Sequence, residues 1–424
     1  MKIGMVGLGK LGLPCALAME KYGNHEILGY EISTDLKNDI LGKSVKFWEE
    51  GVNELLADSA IKLVDSIEEL VKSCEIIFIA VQTPHEPMFE GRTPVPPSRQ
   101  DFDYQHLTRV VEQISLSMKK FPDCNPLITV ISTVLPGTMK THVLPKLQEA
   151  RSNYNFAYNP YFIAMGTTIF DFLNPEFILI GANSEANAKK LSDFYSFIDG
   201  KTMQMTIESA ELTKVAYNTF IGFKIVFANT LAEIVSVRGG NVDEITNALA
   251  QADHRLMSGT YLSAGMGDGG GCHPRDQIAM SWLAKDTNLS TDLFEYLAIA
   301  RDKQTERQAD LIIQKSQELD LPVVLLGISY KPNSPLEVGS PARLLEHFLM
   351  QKGCKPIIVD PWVYPGTETY QGRAVYFVSS RHNDFADLRE IKDSVVIDPW
   401  GHVVRVGEGS TLLKPGRENQ PISL

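Results

Sequence analysis

Short hydrophobic runs alternate with longer amphipathic stretches along the first half of the chain. Runs of this kind are typical of strands buried on both faces of a parallel sheet. They lie at Lys2–Val6, Glu26–Tyr30, Ile76–Val81 and Leu127–Ile131. Because strands that alternate with helices form parallel sheets with right-handed crossovers, we predict a doubly wound sheet here.

A second set of hydrophobic runs follows in the C-terminal part, at Val323–Leu326, Lys355–Asp360 and Val395–Asp398. Between the two sets lies a proline-free segment from Glu208 to about Arg238, which predicts one long helix with buried sides. The tail after Gly407 is polar, and we expect it to be loosely ordered.

The pattern as a whole predicts an α/β protein with two Rossmann-like, doubly wound domains joined by a long central helix. The expected bounds are 1–203 for the first Rossmann-like domain, 204–305 for a central helical and dimerisation domain, and 306–424 for the C-terminal Rossmann-like domain.

A glycine-rich turn joins the first predicted strand to the first helix. It contains Gly7, Gly9 and Gly12, with Lys10 and Leu11 between the last two. The first glycine makes a tight turn, the second lets the backbone approach a diphosphate, and the third lets helix and strand pack closely. Since a helix N-terminus offers free N–H groups to phosphates, we expect these five residues to bind a dinucleotide.

The second predicted strand ends in an acidic residue, Glu31, 19 positions after Gly12. A carboxylate there hydrogen-bonds the adenosine ribose and repels a 2′-phosphate, which favours NAD over NADP. Thr83, Pro84 and Thr133 follow later strands. Ligands bind at the carboxyl ends of such strands, so these residues are expected to contact the cofactor, with ordinary turn chemistry as the alternative.

Composition and charge narrow the choice of partners. The 424 residues carry a formal net charge of −12, which argues against a nucleic-acid partner. The five cysteines are scattered without zinc-site spacing, so we expect no metal and reduced thiols in the cytoplasm. No apolar run is long enough for a bilayer, and the N-terminus resembles a strand rather than a leader, so no membrane association is expected.

Two side-chain arrangements indicate covalent chemistry. Cys272 directly follows three glycines and precedes Arg275 and Asp276, so its thiol is accessible for nucleophilic attack. Lys214 and Asn218 lie four residues apart on one face of the central helix. Apolar neighbours predict that they form a semi-buried pair able to hold an oxyanion; a surface lysine is the simpler alternative.

The order of these motifs resembles that of the UDP-glucose/GDP-mannose dehydrogenase family, the nucleotide-sugar 6-dehydrogenases. The resemblance covers almost the whole chain, and it implies that the C-terminal domain, which has no glycine-rich dinucleotide turn, holds the nucleotide half of the substrate. The similar segments are Gly7–Pro14, Ser132–Thr138, Glu211–Asn218 with Lys224–Ile225, Gly270–Asp276, Gly327–Pro332 and Ser340–Ala342. It implies that a sugar C6 hydroxyl is oxidised to a carboxylate by two hydride transfers to NAD, in a homodimer.

The resemblance also implies catalytic roles for individual residues. Cys272 forms a thiohemiacetal with the aldehyde and then a thioester, which water hydrolyses. Lys214 and Asn218 steady the alkoxide or oxyanion, and Asp276 helps to position water or a proton. Thr133 belongs to the family's threonine loop and counts among the catalytic candidates.

Further residues are candidates for contact with the nucleotide sugar. They are Tyr161, Phe162, Arg255, Tyr261, Gly269, Arg275 and Lys331. The three cations among them are expected to neutralise the phosphates. For Arg255 and Lys331, a solvated surface charge is an equal alternative.

The chain departs from the family pattern at the expected ligand. Tyr161 and Met165 replace two carboxylates of the substrate loop, one of which the family uses as acid or base in thioester hydrolysis. Glu176, in a second Asn-Pro-x-Phe segment, is not expected to replace them. The loss leaves two alternatives open: a two-electron oxidoreductase that stops at the aldehyde or ketone, and a homologue without turnover.

Other departures flank the nucleophile. Asp268 stands where the family has an aromatic residue, and Arg275 stands where it has a lysine. The segment Ser334–Val338 replaces the family's Thr-Asp-Asp-x-Arg. These changes lead us to expect the family's fold with a substrate that need not be UDP-glucose.

Overall fold

The computed structural model describes residues 1–84, 100–259, 263–268, 273–366, 370–415 and 417. The chain forms two compact units, Met1–Gly222 and Phe223–Leu424. The three-domain division expected from the sequence stays a prediction.

The first unit is built on an eight-stranded sheet in the order β3-β2-β1-β4-β5-β6-β7-β8. Its strands are β1 Lys2–Val6, β2 Glu26–Tyr30, β3 Lys62–Leu63, β4 Ile76–Ile79, β5 Leu127–Val130, β6 Asn155–Tyr158, β7 Ile178–Ala182 and β8 Thr202–Met205. The order reverses between β1 and β4, so the carboxyl ends of these two strands flank the switch point where doubly wound sheets bind ligands.

Helices cover both faces of this sheet. They are α1 Gly12–Gly23, α2 Thr34–Leu41, α3 Val52–Asp58, α4 Ile67–Ser73, α5 Gln105–Lys120, α6 Leu144–Ala150, α7 Thr168–Leu173 and α8 Glu185–Phe194, with a π-helical turn at Met139–Val143 and a 3-10 turn at Tyr195–Phe197. Along β4, Ile76 and Phe78 pack into one core, and Ile77 and Ile79 pack into the other. This alternation explains why the strand is hydrophobic without interruption.

The sheet is parallel from β3 to β6, as predicted, but its last two strands differ. β7 runs antiparallel to β6, with Tyr158 opposite Gly181, and β8 runs parallel to β7. The prediction of a parallel sheet is therefore wrong at this end. The connection between β6 and β7, which contains α7, begins and finishes at the same end of the sheet. Adjacent strands that are joined in this way run antiparallel.

The long central helix predicted from the sequence is present as α9, Ile207–Arg238. Near its start, Ala210, Glu211 and Lys214 are buried. Further along, Phe220 and Ile225 are 54% and 57% exposed, so the prediction of buried sides is wrong for this stretch.

The second unit contains a parallel five-stranded sheet in the order β10-β9-β11-β13-β15, beside a two-stranded sheet of β12 and β14. The strands are β9 Val323–Leu326, β10 Ile357–Val359, β11 Val375–Val378, β12 Asp387–Leu388, β13 Val395–Ile397, β14 Arg405–Val406 and β15 Thr411–Leu413. The helices are α10 Val242–Ala250, α11 His273–Asp286, α12 Leu293–Leu319 and α13 Pro341–Gln351, with a 3-10 turn at Asn383–Phe385.

The segment from Gly407 to Leu413 is more ordered than its composition predicts. β15 pairs with β13, from Thr411 opposite Val395 to Leu413 opposite Ile397. The expectation of a loose tail directly after Gly407 is therefore wrong as far as Leu413. Across the described ranges, none of the helices has the length and apolar character that a bilayer crossing needs.

Candidate active site

The glycine turn after β1 has the backbone geometry that a dinucleotide requires. Gly7 has a φ of +88° and donates its N–H to the carbonyl oxygen of Tyr30 at 2.9 Å. A Cβ on Gly12 would lie 2.0 Å from the carbonyl oxygen of Gly7, whereas a Cβ on Gly9 would meet no atom of the described residues within 4 Å. Gly12 therefore permits close packing, and the open space at Gly9 fits a diphosphate.

Glu31 lies at the carboxyl end of β2, beside this turn, and is 8% exposed. Its Oε2 accepts the N–H of Leu8 at 2.8 Å, and its Oε1 accepts those of Ile32 and Ser33 at 2.8 and 2.9 Å. An ionised carboxylate has about four acceptor positions, so one remains on Oε2. The side chain orders the turn and still has an acceptor for a ribose hydroxyl.

The loops that follow β4 and β5 are tied together. The Thr83 hydroxyl donates to the carbonyl oxygen of Thr133 at 2.8 Å, and the Ser132 hydroxyl donates to that of Val81 at 2.6 Å. Pro84 follows Thr83 in the same loop. Thr83, Pro84 and Thr133 thus lie at the carboxyl edge of the sheet, where contact with a cofactor was expected; that contact stays a prediction.

Lys214 is buried on α9 and points at the loop after β6. Its Nζ donates to the carbonyl oxygen of Tyr161 at 2.7 Å and lies 4.8 Å from the centre of the Phe162 ring. Desolvation lowers the pKa of Lys214 to about 8. Asn218, one turn further on, is exposed in the chain, so only half of the expected semi-buried pair is present.

The phenol of Tyr161 points into the interior of the unit. Its hydroxyl lies 2.9 Å from that of Tyr195, which donates to the side-chain oxygen of Asn159. Asn159 in turn donates to the carbonyl oxygen of Leu179 at 2.7 Å. Burial raises the pKa of Tyr161 well above its ordinary value. The polar end of this side chain belongs to an interior network, and its contact with the substrate stays a prediction.

A carboxylate to which the sequence analysis assigns no role, Glu211, positions the threonine loop. Glu211 on α9 is fully buried and accepts the N–H groups of Gly137 and Met139 at 2.6 and 2.7 Å. Burial raises the pKa of this carboxyl group, and the two N–H groups oppose the rise. The only sequence signal was an acidic residue next to apolar positions in a predicted helix.

Most of the predicted nucleophile loop lies outside the described residues. Tyr261, Gly269 and Cys272 belong to the ranges that the structure does not describe. Arg275 and Asp276 have described backbones in the first turn of α11, but their side chains lie outside the description. The roles expected for these five residues stay predictions.

The residue just before this loop is held by two helices of the second unit. The Asp268 carboxylate lies 2.7 Å from Nε of Arg301 on α12 and accepts a hydrogen bond of 2.9 Å from the Gln277 amide on α11. Where the family pattern has an aromatic residue, this chain therefore has the Asp268 carboxylate, paired with the Arg301 guanidinium group. This pairing joins residues far apart in sequence, so no local pattern indicated it.

The second unit repeats the geometry of the first glycine turn. Gly327 follows β9 with a φ of +91° and donates to the carbonyl oxygen of Val359 at 2.8 Å. Asp360, fully buried, occupies the place of the acidic residue after the second strand. Its carboxylate accepts the N–H groups of Ile328, Ser329, Trp362 and Val363, and the ring Nε2 of His382 lies 3.2 Å from its Oδ2.

The ring of His382 has a defined tautomer in this network. Its Nδ1 accepts the N–H of Asn333 at 2.8 Å, so the neutral ring carries its proton on Nε2 and donates toward Asp360. Hydrogen bonds and the His382 ring hold the pKa of Asp360 well below its ordinary range, against the effect of burial. The network fixes the loop that carries Lys331, which is exposed, as is Arg255. Phosphate contact by these two cations stays a prediction.

The glycine turn, the acceptor on Glu31 and the switch-point loops define a Rossmann-type, NAD-dependent dehydrogenase. Residues 1–199 match the NAD binding domain of the UDP-glucose/GDP-mannose dehydrogenase family, and residues 208–300 match its central domain. The chain therefore belongs to that family, whose members are NAD-dependent nucleotide-sugar dehydrogenases, and the predictions of the family, of NAD and of an oxidoreductase are confirmed.

Individual relatives are similar in sequence to this chain over most of their length. The chain is 28% identical over 371 residues to GDP-mannose 6-dehydrogenase of Azotobacter vinelandii, covering 85% of this chain and 81% of the relative. It is 24% identical over 422 residues to the UDP-glucose 6-dehydrogenase TuaD of Bacillus subtilis, covering 97% and 87%. A crystal structure of a ternary complex of GDP-mannose dehydrogenase from Pseudomonas aeruginosa superposes with a TM-score of 0.84 at 23% identity, covering 97% and 99%. This last likeness confirms the predicted fold class.

Proposed function

We propose that the protein oxidises the C6 primary alcohol of a nucleotide sugar to the carboxylate in two NAD-dependent steps. The observation that carries the proposal is the buried ammonium group of Lys214, held against the loop after β6 in the unit that contains the glycine turn. NAD, when bound, accepts the hydride that leaves C6. A cation in a desolvated place stabilises the negative oxygen that develops as the alcohol loses its proton.

The remaining roles in the proposal follow the chemistry of the side chains. Cys272 adds to the aldehyde and becomes the acyl carrier, while Asn218 assists Lys214 at the oxyanion and Asp276 orients water. Thr133 lies at the carboxyl end of β5, where contact with the cofactor is expected. The nucleophile must be a reduced thiol, which supports a reaction in the cytoplasm.

Recognition of the nucleotide sugar is assigned to five side chains. These are Phe162, Arg255, Tyr261, Arg275 and Lys331, with the backbone at Tyr161 and Gly269. Relatives named GDP-mannose 6-dehydrogenase and UDP-glucose 6-dehydrogenase make GDP-mannose and UDP-glucose the first substrates to test.

A second candidate function rests on the substrate loop. Its two family carboxylates are replaced by Tyr161, whose hydroxyl is buried, and by Met165, which is exposed. An enzyme without an acid or base for hydrolysis would perform one oxidation and release an aldehyde or ketone. This two-electron reaction is the alternative against which the four-electron reaction must be tested.

The deciding experiment counts NADH formed per sugar consumed, with GDP-mannose, UDP-glucose and further nucleotide sugars. Two NADH per sugar, with a uronate product in mass spectrometry, is the expected result. One NADH per sugar supports the two-electron alternative, and no NADH from the panel would refute both. The variant Cys272→Ser should form no acid, because an alcohol cannot replace the thiolate efficiently.

We also propose that the protein is a homodimer with α9 in its interface. The support is the exposed apolar stretch of this helix, which includes Phe220 and Ile225. Light scattering after size-exclusion chromatography should give twice the chain mass. The variant Phe220→Asp, Ile225→Asp should run as a monomer, and a wild-type monomer would contradict the proposal.

A further inference from the structure

The loop that follows β6 determines where the Lys214 ammonium group lies. The backbone carbonyl of Tyr161 in this loop accepts the hydrogen bond from Nζ of Lys214 at 2.7 Å. The next residue, Phe162, places the centre of its ring 4.8 Å from the same nitrogen. The loop therefore supplies both the hydrogen-bond acceptor of Lys214 and part of its apolar cover.

The phenol of Tyr161 begins a chain of hydrogen bonds between three side chains. Its hydroxyl lies 2.9 Å from that of Tyr195, and the Tyr195 hydroxyl donates to Oδ1 of Asn159. A hydroxyl has only one proton to donate, so Tyr161 is the donor in the first of these bonds. The chain therefore runs in one direction, from Tyr161 through Tyr195 to Asn159.

Asn159 connects this chain to the sheet. Its side-chain amide donates to the carbonyl oxygen of Leu179 in β7 at 2.7 Å, and its backbone N–H donates to that of Val130 in β5 at 2.8 Å. Both acceptors belong to strands of the eight-stranded sheet. The loop is therefore attached, through the Tyr161 phenol, to the sheet itself.

The chain of hydrogen bonds is buried. Asn159 and Tyr195 are 1% and 3% exposed, and the ring of Phe172 lies 5.3 Å from the Tyr161 ring and 6.2 Å from the Tyr195 ring, between centres. Burial raises the pKa of both phenols well above the ordinary value, so both stay protonated. Since a buried polar group without a partner is costly, each member of the chain holds the next in place.

We propose that Tyr161, Tyr195 and Asn159 are positioning residues for Lys214, because together they hold the Tyr161 carbonyl at a fixed place relative to the sheet. The proposal rests on the proposed function, in which the Lys214 ammonium group stabilises the oxygen that develops at C6. Tyr161 thus acts on the lysine through its backbone, and its side chain serves as the anchor.

Removal of single hydroxyl groups should have graded effects. Tyr195→Phe removes both the acceptor of the Tyr161 hydroxyl and the donor to Asn159, whereas Tyr161→Phe removes one bond and keeps the other. A loosened loop admits water to the ammonium group. Desolvation lowers the pKa of Lys214 to about 8, so this pKa should rise toward 10.5 in both variants, and further in Tyr195→Phe.

The first measurement is the pKa of Lys214 in the full chain without any sugar. Competitive labelling with trace acetic anhydride between pH 7 and 10, followed by mass spectrometry of the peptide that contains Lys214, gives this value. The exposed Lys21 serves as the internal reference for the reagent. Tyr154→Phe removes a half-buried phenol hydroxyl just before β6 and is the matched control, in which the pKa of Lys214 should not change.

The second measurement is steady-state oxidation of whichever of GDP-mannose and UDP-glucose turns over. A displaced cation no longer meets the developing oxyanion, so kcat should fall at least about tenfold in Tyr195→Phe and less in Tyr161→Phe. KM for NAD should stay within about twofold of wild type, since the glycine turn and Glu31 are unchanged.

The outcomes separate the inference from the function on which it rests. An unchanged pKa of Lys214 in folded Tyr195→Phe overturns the inference, and so does a fall in kcat without a change in this pKa. If Tyr195→Phe does not fold, the pKa of Lys214 in Tyr161→Phe decides in the same way. A wild-type protein that oxidises no tested sugar overturns the proposed function, whereas the labelling result still decides whether these side chains position the lysine.

Discussion

The ammonium group of Lys214 donates a hydrogen bond of 2.7 Å to the backbone carbonyl of Tyr161, in a place where only 7% of the lysine is exposed. A hydrogen bond to a neutral acceptor does not fully offset the free-energy cost of removing water from around a charge. The helix α9 therefore holds a cation in a state that favours loss of its proton, which suits a group that must meet a developing oxyanion.

The pH dependence of stability follows from this burial. The folded chain releases the Lys214 proton near pH 8, whereas the unfolded chain holds it to about its ordinary value of 10.5. The destabilisation is therefore complete below pH 8 and disappears as the pH rises toward 10.5. Lys214→Met should be more stable than wild type at pH 7, by about 1–2 kcal/mol after its lost contacts are subtracted.

Thermal melts of wild type and Lys214→Met between pH 7 and 10 would check this. The difference between the two melting temperatures should shrink as the pH rises. A constant difference would show that the lysine is not desolvated in the folded chain. The same variant should lose sugar oxidation, since it lacks the cation.

Two glycines of one turn should respond to alanine in opposite ways. Gly12→Ala places a methyl group against the Gly7 carbonyl and should destabilise the fold by more than about 3 kcal/mol. The methyl group of Gly9→Ala meets no atom within 4 Å in the part of the chain that the structure describes, so stability should change by less than about 0.5 kcal/mol. NAD affinity of Gly9→Ala should nevertheless fall at least about tenfold, about 1.4 kcal/mol, because the methyl group fills the diphosphate space.

Calorimetry of the two variants, with NAD titrations of Gly9→Ala, would measure both effects. Unchanged NAD affinity in a stable Gly9→Ala protein would show that the diphosphate does not pass over this residue.

Cofactor selectivity should depend on Glu31. Glu31→Ala removes the acceptor for the ribose and the anchor for three N–H groups, so NAD affinity and the preference for NAD over NADP should both fall about tenfold or more. Glu26→Ala, at the exposed start of the same strand, is the control. Fluorescence titrations with both dinucleotides would give the ratio, and an unchanged ratio would rule out ribose recognition by Glu31.

The ion pair ahead of the nucleophile loop should be measurable as a coupling. In a double-mutant cycle with Asp268→Asn and Arg301→Met, we expect about 1–2 kcal/mol of coupling in the free energy of unfolding. Alkylation of Cys272 by iodoacetamide should change in rate in the single variants, because the chain leading to the thiol is released. No coupling would mean that the pair is incidental to the loop.

Features set by local spacing were predictable from the sequence. The turn at Gly7, the position of Glu31 and the extent of α9 each depend on residues close together in the chain. The direction of β7 was not predictable, because it depends on the end of the sheet at which the chain enters this strand. The inward phenol of Tyr161 and the Asp268–Arg301 pair depend on tertiary neighbours that no spacing reveals.

Glu31 and Asp360 are the acidic residues at the ends of the second strands of the two units. They differ in their capacity to bind the ribose of a dinucleotide. Glu31 keeps one acceptor position, whereas Asp360 already has four backbone donors and a histidine ring around its two oxygens. A ribose diol has no acceptor left to bind at Asp360. An equilibrium titration should thus saturate at one dinucleotide per chain, although the fold contains two turns of the same design.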